Sequence, residues 1–333
     1  MEKNVVVLND FLNMDFLKLV LDFFNGHWLV VSFLAPLLWA LVNVIDVYFV
    51  GGVYKDELDG TIISGLFQIV PIIFILFFLS KLNFSFDSFL LLAVFAGFLF
   101  NLSFYFYFKA LFRHNDVALL QILWSLTIVV VPVLSFVFFG EKLGGFKYLG
   151  MLITLIGAVL LSFNGKLQAK LSWKYFWIMM GAVGFLSLSM VIENQVYTHL
   201  AERGQNFLSG FLFFSIGAFL NGLFFVFFGK RNPLSLVKKY FKVFVIAEVI
   251  NVFGIFASQR AIDQAPSVSY VAVVESFVPV FIMIFSLLIL FYFLYIVKKR
   301  NEVVELIYKE QIVGIGIKIF ATLVMAIGIY FIS

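Results

Sequence analysis

The chain is a succession of apolar runs, each near 20 residues long and separated from the next by a short polar break. A helix rises about 1.5 Å per residue, so a run of about 20 residues covers the roughly 30 Å of hydrocarbon in a bilayer. In lipid each backbone N–H and C=O must find its partner within the protein, and a single apolar run achieves that as a helix. The runs fall at 28–50, 61–80, 87–108, 116–138 and 146–163, then at 175–197, 207–229, 242–260, 267–296 and 311–332. They predict an all-α, polytopic integral membrane protein of about ten transmembrane helices, most simply in a cell membrane. Composition agrees: 63% of residues are hydrophobic and 13% charged, against roughly 45–50% and about 25% in soluble domains.

The net charge of +4 does not point to nucleic acid, because Lys and Arg sit in the short breaks and at run ends instead of along one soluble face. With no Cys, and with His27, His114 and His199 scattered, the sequence offers no metal motif, and no cofactor is expected. Residues 1–26 carry Asp10, Asp15, Lys18 and Asp22 where a cleaved signal would be apolar. Asp15, Lys18 and Asp22 lie at helical spacing opposite Leu12, Phe16, Val20 and Phe23, the pattern of a helix in the membrane interface or of a solvated pre-helix.

The runs repeat after five. Lys109-Ala110-Leu111 at the end of the third matches Arg260-Ala261-Ile262 at the end of the eighth, and Val44-Ile45-Asp46 matches Val191-Ile192-Glu193. Gly157-Ala158-Val159 matches Gly328-Ile329-Tyr330 at a larger offset, which locates an insertion near 292–310. The chain therefore divides into an N-terminal segment (1–26), a first five-helix unit (27–165) and a second (166–333). Residues 164–174 form a short connector. Five is odd, so the second unit enters the membrane from the opposite side; inverted repeats of this kind are a recurring architecture of secondary transporters.

Residues 140–161 (GEKLGGFKYLGMLITLIGAVLL) resemble the end of an EamA-like repeat of the drug/metabolite transporter superfamily. The likeness rests on Gly140-Glu141, on Gly150 and Gly157 seven residues apart, on the stretches Ala110 to Pro132 and Ala261 to Pro279, and on Trp39. The second half blurs it: only Glu310 lies near the position matching Glu141, and Pro132 falls one turn beyond the position matching Pro279. The resemblance implies a permease for amino acids or related metabolites, with a cytoplasmic N-terminus. Charge counts disagree on orientation: seven Lys or Arg fall on the N-terminal side and fifteen opposite, where the positive-inside rule expects the reverse.

Ionisable groups inside a run cost roughly 2.5–3.5 kcal/mol to insert and usually face a cavity. Glu248 and Glu275 lie on consecutive runs at depths from which both can line one central cavity, and there a desolvated carboxylate can exchange protons near neutral pH or bind a cationic amine. A buried glutamate that only cements packing is the alternative for each. Asn251 shares the face of Glu248. Asn101, Gln121, Trp124 and Tyr270 complete the candidate lining, with helix-to-helix hydrogen bonding as the plainer role of the polar ones. Lys109, Arg260, Asp46 and Glu193 are candidate charges at the mouths of the pathway, or interfacial charges with no part in it. Pro36, Pro71, Pro132 and Pro279 favour kinks, and Gly150 and Gly157 favour close helix packing.

These features predict a secondary transporter working by alternating access, with a small-molecule substrate, the lipid bilayer and in one variant protons as its partners, as a monomer or homodimer. A non-transporting scaffold and an enzyme for lipid-linked substrates are the rivals. The enzyme needs a His/Asp/Arg loop motif that the sequence does not show, and no phosphate-cradling GxxxxGK[ST] loop is present.

Overall fold

A computed structural model of the chain describes residues 26–78, 84–113, 117–161, 173–229, 233–292, 295 and 313–333. The N-terminal segment before residue 26, most of the 164–174 connector and nearly all of the 292–310 insertion lie outside the described residues, as does the side chain of Gln121.

The described residues are helical with no strand. In chain order the helices are α1 (Trp28–Gly52), α2 (Glu57–Phe67), α3 (Ile69–Phe78), α4 (Phe89–Arg113), α5 (Val117–Trp124), α6 (Thr127–Phe139) and α7 (Gly145–Leu161). Then follow α8 (Trp173–Glu202), α9 (Phe207–Gly229), α10 (Leu234–Lys239), α11 (Phe241–Gln264), α12 (Val268–Glu275), α13 (Val278–Phe291) and α14 (Ile315–Ile332). Among the described residues, eight stretches are long and apolar enough to cross a membrane, counting α2–α3, α5–α6 and α12–α13 each as one; Trp28–Asn43 and Gly145–Leu161 are apolar but shorter.

Large apolar side chains cover the outside: Phe77 on α3, Phe138 on α6, Phe227 on α9 and Phe320 on α14 are all more than half exposed. Such a surface is tolerated in hydrocarbon and not in water. The protein is an integral membrane protein.

Among the described residues, the three larger of four apolar clusters hold most of the bundle together. One gathers the first end, joining the start of α1 (Val31, Ala35), the end of α3 (Phe78), the start of α4 (Leu90), the end of α8 (Tyr197, Leu200) and the end of α11 (Ile262). A second gathers the other end, joining Phe49 and Val53 of α1, Phe108 and Leu111 of α4, Tyr175 of α8 and Phe244 of α11. The third seals α7 and α14 through Met151, Ala158, Met325 and Ile329. Small residues let backbones meet. A Cβ on Gly150 would lie 2.7 Å from the Gly328 carbonyl oxygen, and one on Gly157 would lie 2.9 Å from the Met325 nitrogen, so the glycine pair serves close packing.

Three of the crossings are interrupted. Gln68 separates α2 from α3 three residues before Pro71, and Ser276-Phe277 separate α12 from α13 just before Pro279, since proline removes a donor and clashes with the carbonyl one turn back. The break at Ser125-Leu126 follows another route: Ser125 Oγ donates to the Ile122 carbonyl at 2.7 Å, competing with the helical ladder. Ser276 Oγ does the same to Val273 at 2.6 Å. Pro36 and Pro132 lie inside continuous helices.

Candidate functional site

Between α1, α4, α5 and α11 the packing opens into a cavity with about 730 Å³ of atom-free space, the solvent at its mouth included. It lies in the half of the bundle nearer the second end, since its walls include Asp46 and Phe108, which lie near Phe49 and Leu111 of the second-end cluster.

The polar wall comes from four helices. Asn43 and Asp46, one turn apart, project from α1; Ser64 comes from α2, Tyr107 from α4, and Glu248 with Asn251 from α11. Glu248 is only 7% exposed, and its Oε2 accepts from Asn251 Nδ2 at 3.1 Å. The same Nδ2 reaches Ser64 Oγ at 3.1 Å. Across the cavity, Tyr107 OH donates to Asn43 Oδ1 at 2.6 Å, and Asn43 Nδ2 donates to the Trp39 carbonyl at 2.9 Å. Among the described residues no basic side chain pairs with Asp46 or Glu248. The apolar wall is aromatic, with Trp39, Phe100, Phe104, Phe108 and Trp124. Trp124 meets the Tyr107 ring edge to face at 5.3 Å.

The sequence-derived candidates divide accordingly. Glu248, Asn251, Trp124 and Asp46 line the cavity. Glu275 does not, which corrects the expectation of one cavity for both glutamates: counting residues from the connecting turn gives depth but not the direction a side chain faces. Glu275 Oε1 accepts from Ser258 Oγ at 2.5 Å on the neighbouring α11. Glu193 lies in the first-end half, 1% exposed, with Oε1 accepting from Ser189 Oγ at 2.8 Å. Gln259 stands beside it and accepts from Tyr197 OH at 2.7 Å. Glu193, Tyr197, Gln259, Ser258 and Glu275 thus form a second polar group, buried and apart from the cavity walls.

The remaining candidates serve other contacts. Asn101 Nδ2 donates to Asn221 Oδ1 at 2.9 Å and to the Thr61 carbonyl at 3.3 Å, joining α4, α9 and α2. Tyr270 packs on Trp28 at 5.9 Å, beneath the Lys147 ammonium. Lys109 donates to Tyr105 OH at 2.9 Å, and Arg260 pairs with Asp263 and lies over the Phe207 ring; neither lines the cavity. The sequence reading missed Asn43 and Tyr107. Asn43 is one turn before Asp46, and Phe100, Phe104, Tyr107 and Phe108 recur at helical spacing, but an aromatic stripe in a chain with 47 phenylalanines reads as packing.

A His/Asp/Arg group does exist, assembled from distant positions. Asp87 Oδ1 caps α4 by accepting from the Phe89 N–H at 2.9 Å, while its Oδ2 lies 3.0 Å from His199 Nε2 and accepts from Arg203. The backbone hydrogen bond from Phe89, then that from His199, then the Arg203 charge hold the Asp87 carboxyl below the ordinary range. His199 also stacks on Phe89 at 3.9 Å. The three side chains satisfy one another and tie the start of α4 to the end of α8.

No protein-family model matches the chain, and no curated protein matches it. Among solved structures, one described only as "Crystal structure of protein" superposes with a TM-score of 0.59 at 17% sequence identity, covering 91% of this chain and 96% of that one. The likeness is one of fold. It extends over nearly the whole of both chains and carries no activity with it.

Proposed function

We propose that the protein is a secondary transporter, a permease of the EamA-like type in a cell membrane, that moves a small metabolite such as an amino acid or related compound by alternating access. The observation that carries this reading is the cavity, whose walls come from both halves of the chain and hold a nine-tenths-buried acid, Glu248, within the apolar bundle. A purely structural glutamate has no need of an opening beside it.

The pairing of helices supports ten crossings in two inverted units. α4 packs along α8 as α11 packs along α1, α2 crosses α9, and α7 pairs with α14, which are the matched contacts that a two-fold relation between the halves requires. The serine breaks at Ser125 and Ser276 stand at the same offset as Lys109 and Arg260. In such a carrier the cavity walled by Asp46 and Glu248 is the open state of one half. The buried group of Glu193, Gln259 and Glu275 is what opens when the halves rock the other way.

The test is uptake by the purified protein in liposomes, using a panel of radiolabelled amino acids and amines with and without a pH gradient. Wild type takes up at least one of them; Glu248→Gln lowers uptake about ten-fold or more, as expected for removal of a charged partner worth over about 1.4 kcal/mol. Glu275→Gln abolishes the response to the gradient. Uptake by no member of the panel, or by Glu248→Gln as fast as by wild type, overturns the proposal.

A further inference from the structure

The cavity has more to accept hydrogen bonds than to donate them, and its charges have one sign. Asp46 and Glu248 both line it, and none of its lining residues is Lys, Arg or His. Glu248 Oε1 accepts no hydrogen bond among the described residues, although the residue is 7% exposed. Most of the donors present are already engaged, Asn251 Nδ2 with Glu248 and Ser64, Asn43 Nδ2 with a backbone carbonyl and Tyr107 OH with Asn43, while the Trp39 Nε1–H is buried with no partner among the described residues. An anion entering here finds two acids and few free donors.

A cation finds the reverse. Burying two unpaired carboxylates is costly, and a positive group between them offsets that cost. The rings of Trp39, Phe100, Phe104, Tyr107 and Trp124 present π faces or edges around the same space, and a cation over an aromatic face gains roughly 0.5–2 kcal/mol. A bare metal ion suits the site poorly, because hard cations need six or more oxygens at about 2.0–2.6 Å while most of this wall is carbon.

We propose that the cavity takes an organic cation, an ammonium centre carried on an aromatic or branched apolar body, with the charge between Asp46 and Glu248 and the body against the aromatic wall. The proposal deepens the transport reading and rests on its identification of the cavity as the cargo site.

Purified protein in detergent is titrated with benzyltrimethylammonium, phenylacetate and benzyl alcohol, following quenching of tryptophan fluorescence, to which Trp39 and Trp124 contribute. Wild type binds the ammonium probe about ten-fold or more tightly than either of the others, and the double variant Asp46→Asn/Glu248→Gln loses that preference. Glu202→Gln, at the exposed end of α8, keeps it. Equal binding of the three probes, preference for phenylacetate, no binding of any probe, or an unchanged preference in the double variant overturns the proposal. The wild-type ranking decides the matter even if the double variant does not fold. Binding without uptake in liposomes refutes the transport reading alone, and uptake of an anion without ammonium binding refutes this inference alone.

Discussion

Replacing Gly97 with alanine should destabilise the protein, and the amount follows from the crossing of α4 and α9. A Cβ at Gly97 would lie 1.8 Å from the Phe214 carbonyl oxygen, and one at Gly217 would lie 1.8 Å from the Val94 carbonyl oxygen. Real Cβ contacts essentially never fall below 3.0 Å, so the helices must part by about 1.2 Å. The obstructing atoms are backbone and cannot rotate away. Overpacking of this kind costs about 1–3 kcal/mol, and the gain in helix propensity from Gly to Ala returns at most about 1 kcal/mol. Parting the helices also strains the Asn101–Asn221 hydrogen bond one turn further on and displaces Phe100 and Phe104 in the cavity wall. Thermal unfolding in detergent should therefore show Gly97→Ala melting several degrees below wild type. The double variant Gly97→Ala/Gly217→Ala should cost less than the sum of the single changes, because one displacement relieves both clashes. Gly184→Ala, where a Cβ meets nothing within 4 Å, should melt at or slightly above wild type. A Gly97→Ala protein as stable as wild type would refute the argument that these backbones touch.

Asn101→Ala should lower stability by about 0.6–1.7 kcal/mol, the range for hydrogen bonds between membrane helices, and be sub-additive with Asn221→Ala when melting in detergent is followed. Asp87→Asn keeps the cap on α4 but loses the charge that holds His199 and Arg203. Because the folded carboxyl titrates below its unfolded value of about 3.9, its contribution is full above that pH and fades as pH falls through the folded value, so wild type should exceed the variant in melting temperature at pH 7, and the gap should begin to close only as pH falls below about 4.

The helical segments were legible because apolar length is a property of consecutive residues. The boundaries were less so wherever charged residues continue a helix past its apolar run. Asp56 caps α2 through the Leu58 N–H, so the helix begins at Glu57 rather than at 61, and the Arg260–Asp263 pair accompanies α11 out to Gln264. Pro71 and Pro279 announced two breaks, whereas the break at Ser125 depends on a side chain bonding to its own backbone, which any membrane serine can do. Glu248 and Asn251 were readable as a pair because four residues of helix fix their common face. The position of Glu275 was not, because the rotation of α12 about its axis is set by what α11 presents to it. The Asp87–His199–Arg203 group joins residues more than a hundred positions apart, and no local pattern announces it.

The cavity near Asp46 and the buried polar group around Glu193 lie at different depths of one bundle. The interior is hollow at one level and packed with buried polar side chains at the other. For the carrier proposed above, that arrangement means little leak at rest and a turnover set by how often whole helices slide past one another, not by diffusion through a pore.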